Sequence, residues 1–295
     1  MNQFQSLPLV TVYIATHNRA DLLIRAVESV LSQVYKNIEL IVADDGSVDE
    51  TYEKLLPYIE SSKLLYVKND SPKGACVARN LAIDIATGVL ITGLDDDDEF
   101  LPNRVGHLVE LFSSGEYSCI AAPYVEVTPK GKISRKLDCG LVTLDKLLHY
   151  NVLGNQVLTS TDNLRAIGGF SPEMPAFQDY DTWVRLVSKF GTAYKSDEIS
   201  YIWYTDHISG RISQSSEKRI LAFSLFINKH KHLMSLKHLN SMAILDKRLK
   251  AENYNLLEFF KMTNKGNFKT SLSYFINSNF RFIKWAFDKV RLLKK

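Results

Sequence analysis

Five consecutive carboxylates, Asp95-Asp96-Asp97-Asp98-Glu99, form the most chemically loaded stretch of this 295-residue sequence. Side by side they repel one another, and they are tolerable only if fully solvated or neutralised by a cation. Carboxylate oxygens are the ligands Mg2+ and Mn2+ prefer, and one or two of them plus phosphate oxygens suffice for Mg2+. Strand alternation carried into the run would send Asp95 and Asp97 to one side and Asp96 to the other. The competing reading is a solvated loop, or the acidic start of a helix beginning at Phe100-Leu101-Pro102. Two further polar clusters, Thr16-His17-Asn18-Arg19 and Asp44-Asp45, also close apolar segments, as the acidic run closes Val89–Leu94. That coincidence favours a ligand site over a solvated loop.

The segments that must position these clusters alternate in type. Leu9–Ala15, Ile38–Ala43, Leu64–Val67 and Val89–Leu94 are short apolar runs that read as strands. Between them, Leu22, Leu23, Ala26, Val27, Val30, Leu31 and Val34 keep helical spacing. A helix is predicted at about 48–60, and another places Ala78, Leu81, Ala82, Ile85 and Ala86 on one face. Such alternation builds a mostly parallel sheet, whose ligands bind beyond the carboxyl ends of the strands. All three polar clusters fall there, which implies a nucleotide-sized pocket. No GxGxxG follows the first strand, which ends in ATHNR, so a dinucleotide site is disfavoured.

Four segments carry a family resemblance: VTVYIATHNR at 10–19, VADDGS at 42–47, GACVARNLA at 74–82 leading to LDDDDEF at 94–100, and IGGFSPEMPAFQDYDTWVR at 167–185. In this order the chain resembles the family 2 glycosyltransferases of the GT-A fold over about residues 8–205. The resemblance implies an α/β protein, a Rossmann-like mixed sheet flanked by helices. It also implies an inverting enzyme that takes a sugar from a nucleotide-sugar donor, UDP-sugars foremost, with Mn2+ or Mg2+ as cofactor. By position, Ala15 and Thr16 would meet the nucleoside, Asp45 the uracil, and Arg79 the base or diphosphate. Asp95 and Asp96 would lie near the ribose and Asp97 would ligate the metal, with Asp98 the other candidate ligand. Asp179 resembles the catalytic base, although the family usually has Glu-Asp there and this chain has Gln178-Asp179. Asp181 would face about 200° away around a helix and reads as structural. Trp183 and Arg185 read as packing or acceptor contacts. His207, ahead of Gly210-Arg211, falls where some relatives place a late metal or diphosphate contact. Many bacterial members build surface polysaccharide, lipopolysaccharide O-antigen included, so a lipid-linked or growing glycan acceptor is expected.

Charge divides the chain. Residues 1–214 carry 19 Lys and Arg against 28 Asp and Glu, a net of −9, whereas 215–295 carry 17 against 5, a net of +12. A catalytic domain at 1–214 and a basic helical C-terminal region at 215–295 are therefore expected. Near the end, Ile276, Phe280, Ile283, Phe287 and Val290 form one apolar stripe, with Asn277, Arg281, Lys284, Asp288, Arg291 and Lys295 opposite. A basic amphipathic helix of this kind suits an anionic membrane interface, reached through 270–295. Its rival is docking on the catalytic domain or on a second subunit of a homo-oligomer.

The overall charge is only +3 and no recognition motif is present, which argues against nucleic acid. No apolar run reaches the roughly 18 residues needed to span a bilayer. MNQFQSLPLV has no signal-peptide character, and Cys76, Cys119 and Cys139 lack metal-ligand spacing. A cytoplasmic protein, peripheral at the inner face of the cell membrane, is the expectation. The competing class, a non-catalytic nucleotide-binding or helical partner-binding protein, is opposed by the intact Asp45, Asp97 and Asp179.

Overall fold

The computed structural model describes residues 7–205 and 216–280. They fall into two units, one of residues 7–144, 152–173 and 178–205, the other of residues 145–151, 174–177 and 216–280.

The first unit opens with β1 (Val10–Thr16), α1 (Ala20–Leu31), β2 (Ile38–Asp44), α2 (Thr51–Glu60), β3 (Leu65–Lys68), α3 (Ala75–Ile85) and β4 (Leu90–Asp95). All seven were visible as apolar runs or helical spacings. The four strands pair in parallel in the order β3-β2-β1-β4. Val10, Val12 and Ile14 of β1 pack with Leu23, Val27 and Val30 of α1 and with Leu40 and Val42 of β2, all at most 3% exposed. Burying each such side chain contributes about 1.5–3 kcal/mol.

Next come β5 (Glu99–Phe100), α4 (Arg104–Ser113), β6 (Cys119–Ala121), β7 (Tyr124–Thr128), β8 (Gly131–Arg135), β9 (Gly140–Val142), α5 (Leu144–Leu147), which after Leu144 belongs to the second unit, β10 (Val157–Ser160), α6 (Thr161–Ala166), α7 (Gln178–Phe190), β11 (Ala193–Lys195) and β12 (Tyr201–Tyr204). The eight-stranded mixed sheet runs β3-β2-β1-β4-β10-β6-β11-β9, and a second sheet runs β5-β12-β7-β8. Because β10 is antiparallel to β4, with Leu158 opposite Thr92, it starts beside the end of β4. Residues just before β10 therefore join the strand-end site. The helix expected from Phe100 begins instead at Arg104. Phe100 and Glu99 pair with Tyr201 and Ile202 of β12, and the Phe100 amide donates to Ser29 Oγ. A strand partner supplied from a hundred residues away thus overrides the local helix signal.

Within the second unit, residues 216–280 contain α8 (Ser216–His230), α9 (Leu236–Leu249), α10 (Leu256–Met262) and α11 (Phe268–Asn279). Tyr254, fully buried, stacks on Tyr274 at 5.6 Å and bonds Ser271 through its hydroxyl at 2.9 Å. α11 ends at Asn279, whose Nδ2 donates to the carbonyls of Tyr254 and Phe275. The stripe expected to run in one helix from Ile276 to Val290 is interrupted there, since Phe280 leaves the helix with φ −131°. Its remainder, from Arg281, Ile283 and Lys284 to Lys295, lies outside the described residues. No helix among the described residues is long and apolar enough to cross a membrane.

Candidate active site

Three strands end in register. Ala15 lies opposite both Ala43 and Asp95, and Thr16 lies opposite Asp44, so the polar clusters share one edge of the sheet. Thr16 Oγ1 donates to Asp96 at 2.8 Å, and Arg19 Nη1 reaches Asp96 at 2.9 Å and Asp97 at 3.3 Å. The alternation expected through the acidic run fails because β4 stops at Asp95. A turn follows, closed by the Asp98 amide on the Asp95 carbonyl at 3.1 Å, and it brings Asp96 and Asp97 together on Arg19.

The remaining acids have separate partners. Asp98, fully buried, accepts from the Tyr201 hydroxyl at 2.7 Å and the Tyr204 amide at 2.9 Å. Burial and the charges of Asp95 and Asp97 hold its carboxyl well above the ordinary range. Glu99 pairs with Arg25 at 3.1 Å. Burial pushes Asp96 up to about 6, with Arg19 opposing and Asp97 adding to the rise.

Asp45 closes β2 and orders the loop that leads into α3. Its oxygens accept from Asn69 Nδ2 at 2.8 Å and from the amides of Lys73 at 2.8 Å and Gly74 at 2.7 Å. Gly46, at φ +74°, lets that loop close in, since a Cβ there would stand 2.8 Å from the Ser71 carbonyl carbon.

α3 carries Arg79 into the centre of the site. Its guanidinium holds Asp95 at 3.0 Å and Asp179 at 3.4 Å, and lies 5.0 Å from the Phe170 ring. Two residues a hundred positions apart, Arg79 and Asp179, thereby share one cluster. Asp95 also accepts from Gln156 Nε2 at 2.9 Å and Asn155 Nδ2 at 3.5 Å.

Asp179 stands in the first turn of α7 with 25% of its side chain accessible. Burial raises it to about 7, with Arg79 lowering it and Asp95 raising it. A reachable carboxyl that titrates near neutrality can take a proton from a substrate hydroxyl. Asp181 points elsewhere, as expected: fully buried, it accepts from Ser171 Oγ at 2.7 Å and from Arg185 Nε at 3.0 Å. Arg185 also donates to the carbonyls of Ile167 and Gly169, and Trp183, 1% exposed, donates to Gly154. Both residues are packing groups.

Gln156, Asn155 and Asn80 escaped sequence reasoning. Asn80 grips both the amide and the carbonyl of Phe170 at 2.8 Å, with Gly169 at φ +61° leaving room for it. Isolated amides carry no periodic signal; only the ARN string around Asn80 hinted at a role. His207 lies outside the described residues.

The donor set at the acidic run fits a hard divalent cation. Four aspartates gather on Arg19 and Arg79, two carboxylates to each guanidinium, an oxygen-rich set with negative charge in excess. Among the described residues, one trio of another kind, Asp145, His149 and His238 of the second unit, has ligand atoms within 4.8 Å of one another. It does not fit. The Ser235 amide donates to His238 Nδ1 at 3.1 Å, so the ring proton sits on Nε2, facing Asp145 at 3.0 Å. A neutral imidazole has one lone-pair nitrogen, and this one is spent. His149 Nε2 is pressed on Gly266, where a Cβ would lie 2.0 Å away.

The raised carboxyls have a consequence for stability. Asp96 and Asp179 hold protons more tightly folded than unfolded, from an ordinary 3.8 up to about 6 and about 7. Their favourable contribution is complete below pH 3.8 and is lost as pH rises through those values. Asp179→Asn is therefore expected to raise Tm at pH 8 while leaving it unchanged at pH 4. Differential scanning fluorimetry from pH 4 to 8 checks this, and a Tm gap that does not grow with pH would refute it.

Comparison with known proteins gives the family and the fold. The family model described as glycosyl transferase family 2 matches residues 11–168. A glycosyl transferase of Escherichia coli K12 named for colanic acid biosynthesis, WcaA, is 35% identical over 241 residues, covering 76% of this chain and 82% of the relative. The Escherichia coli UDP-Glc:α-D-GlcNAc-diphosphoundecaprenol β-1,3-glucosyltransferase WfaP is 28% identical, covering 72% and 83%. Among solved structures, S. aureus TarS 1–349 in complex with UDP-GlcNAc superposes with a TM-score of 0.67 at 16% identity, covering 91% of this chain and 79% of that one. The mannosyltransferase PcManGT of Pyrobaculum calidifontis, in complex with GDP-Man and Mn2+, gives 0.59 at 16%, covering 98% and 86%. At these identities the likeness is one of fold, and the mixed sheet flanked by helices is the GT-A fold.

Proposed function

The chain belongs to glycosyl transferase family 2, and from that premise we propose that it is an inverting enzyme using a UDP-sugar donor and a lipid-linked or growing polysaccharide acceptor. The observation that carries this reading is the Arg79 bridge, which sets an accessible carboxyl titrating near neutrality, Asp179, beside the strand-end aspartate Asp95. The donor assignment is supported by the UDP-Glc in the name of WfaP and the UDP-GlcNAc bound to TarS, and the acceptor by the diphosphoundecaprenol in the former.

Inversion is a single displacement in which the acceptor hydroxyl attacks one face of the sugar and the diphosphate leaves from the other. Asp179 takes the hydroxyl proton, and Arg79 keeps its carboxylate oriented and prevents its pKa from climbing further. Ala15, Thr16 and Asp45 border the nucleoside, with Asp95 and Asp96 at the ribose. Asp97 would hold Mn2+ or Mg2+, which supplies charge neutralisation for the leaving diphosphate; the Mn2+ bound to PcManGT supports that choice. The test is a screen of UDP-, GDP- and dTDP-sugars with Mn2+ for thermal stabilisation and slow hydrolysis. Stabilisation by UDP-sugars alone is expected, and a response to none of the three overturns the reading.

The second unit suits a peripheral station on an anionic membrane at the cytoplasmic face. Residues 215–295 carry +12, and Leu257 (78% exposed) and Phe260 (72%) leave apolar surface on α10 uncovered. Flotation with vesicles rich in anionic lipid is expected for the whole chain. It should fall sharply on combining Leu257→Glu and Phe260→Glu with deletion of 281–295. Unchanged flotation would remove the membrane from this reading.

A further inference from the structure

Arg104, at the start of α4, is 1% exposed, yet no carboxylate among the described residues pairs with it. Its Nη1 donates to Ser200 Oγ at 3.1 Å, and its Nε is buried without a hydrogen-bond partner. The rings of Phe100, at 4.7 Å, and Tyr201, at 5.1 Å, flank the guanidinium and offset part of its burial. The Tyr201 hydroxyl is itself committed to Asp98 Oδ2. Burial lowers Arg104 to about 10, so it remains a cation at neutral pH. A buried charge without a counter-ion is costly, and the structure retains one here.

The same guanidinium lines a small pocket with Tyr124, Asn155, Gln156, Tyr201 and Trp203. Asn155 and Gln156 form a wall shared with the active site, because both donate to Asp95. Tyr124 and Trp203 meet edge to face at 5.4 Å and offer an aromatic wall of the kind a sugar ring packs against. One planar cation with a spare N–H matches a single carboxylate rather than a diphosphate, which calls for more donors.

We propose that this pocket is a subsite for the carboxylate of a uronic sugar, with Arg104 as its counter-ion. The inference rests on the glycosyltransferase reading and adds the class of sugar. The carboxylate can belong to the donor or to the acceptor, and the experiment separates them. The full chain is titrated with UDP-glucuronate against UDP-glucose. It is also titrated with methyl β-D-glucuronide against methyl β-D-glucoside, with and without UDP and Mn2+. In one pair the acidic member is expected to bind about tenfold more tightly or better, the worth of a charge-assisted hydrogen bond. Preference in the first pair assigns the carboxylate to the donor; preference in the second assigns it to the acceptor.

Arg104→Gln should abolish the preference, with retained UDP binding showing that the site is folded. Ala122→Asp, which sets a carboxylate into the same pocket wall, should abolish it too. Equal affinities within both pairs, or a preference that survives in folded Arg104→Gln, overturn the subsite. The wild-type comparison decides the matter even if Arg104→Gln does not fold. If UDP itself fails to bind, the nucleotide-sugar reading falls, while the methyl glycosides measured without UDP still judge the pocket.

Discussion

Asp179→Asn is expected to lower kcat by about 10²–10⁴-fold, the usual worth of a general base, while leaving the Kd for UDP nearly unchanged. The asparagine keeps the shape and can still accept from Arg79, but it cannot take a proton. In the proposed function the donor is held by the strand ends around Thr16, Asp45 and the acidic run, and Asp179 reaches that run only through Arg79. In the wild type, activity should rise with pH through about 7, since burial holds the Asp179 proton up to that point. Steady-state rates from pH 5.5 to 8.5, alongside isothermal titration with UDP and Mn2+, separate the two effects. An equal loss of UDP affinity would move Asp179 from proton transfer to donor binding.

Asp97→Asn is expected to abolish the Mn2+-dependent part of UDP binding, whereas Asp98→Asn should lower Tm and leave the metal response in place. The sequence left these two neighbours as rival ligands. The proposed function assigns the metal to Asp97, because both Asp98 oxygens already accept, from the Tyr201 hydroxyl and the Tyr204 amide. Each of them keeps a second lone pair, but Asp98 is fully buried and offers it to nothing arriving from solvent, whereas Asp97 is 6% exposed. Asp97 sits beside Asp96 on Arg19, in the turn where negative charge is in excess. Titrating UDP with Mn2+ or with EDTA decides between them. Metal-dependent binding that persists in Asp97→Asn but vanishes in Asp98→Asn would reverse the assignment.

Local pattern reached far into this protein. Leu9–Ala15, Ile38–Ala43 and Val89–Leu94 are hydrophobic because their strands are covered on both faces, and that alone marks strands of a parallel sheet. Polar residues placed at their ends then announce a ligand site, since nothing in the core could accept them. Periodicity also separated Asp181 from Asp179, because a helix turns successive residues through a fixed angle. The same reasoning failed where the chain stopped being regular. Alternation misassigned Asp96 and Asp97 because β4 ends at Asp95 and a turn carries no two-residue repeat. Phe100 was given to a helix because its strand partner, Tyr201, is far away in the chain.

By itself, then, the sequence determined the order of the first four strands and the helices between them, the edge of the sheet where chemistry would gather, and the acidic character of that edge. These are properties of short windows, governed by side-chain hydrophobicity and backbone period. Only the tertiary structure decided how the carboxylates are shared out: Asp95 and Asp179 to Arg79, Asp96 and Asp97 to Arg19, Asp98 to two tyrosines. It alone recruited Gln156 and Asn155 through the antiparallel β10, and left Arg104 buried without a counter-ion among the described residues. Pairings across a hundred residues arise from chain crossing and packing, and the charge, exposure and proton affinity of each group follow from those neighbours rather than from its place in the chain.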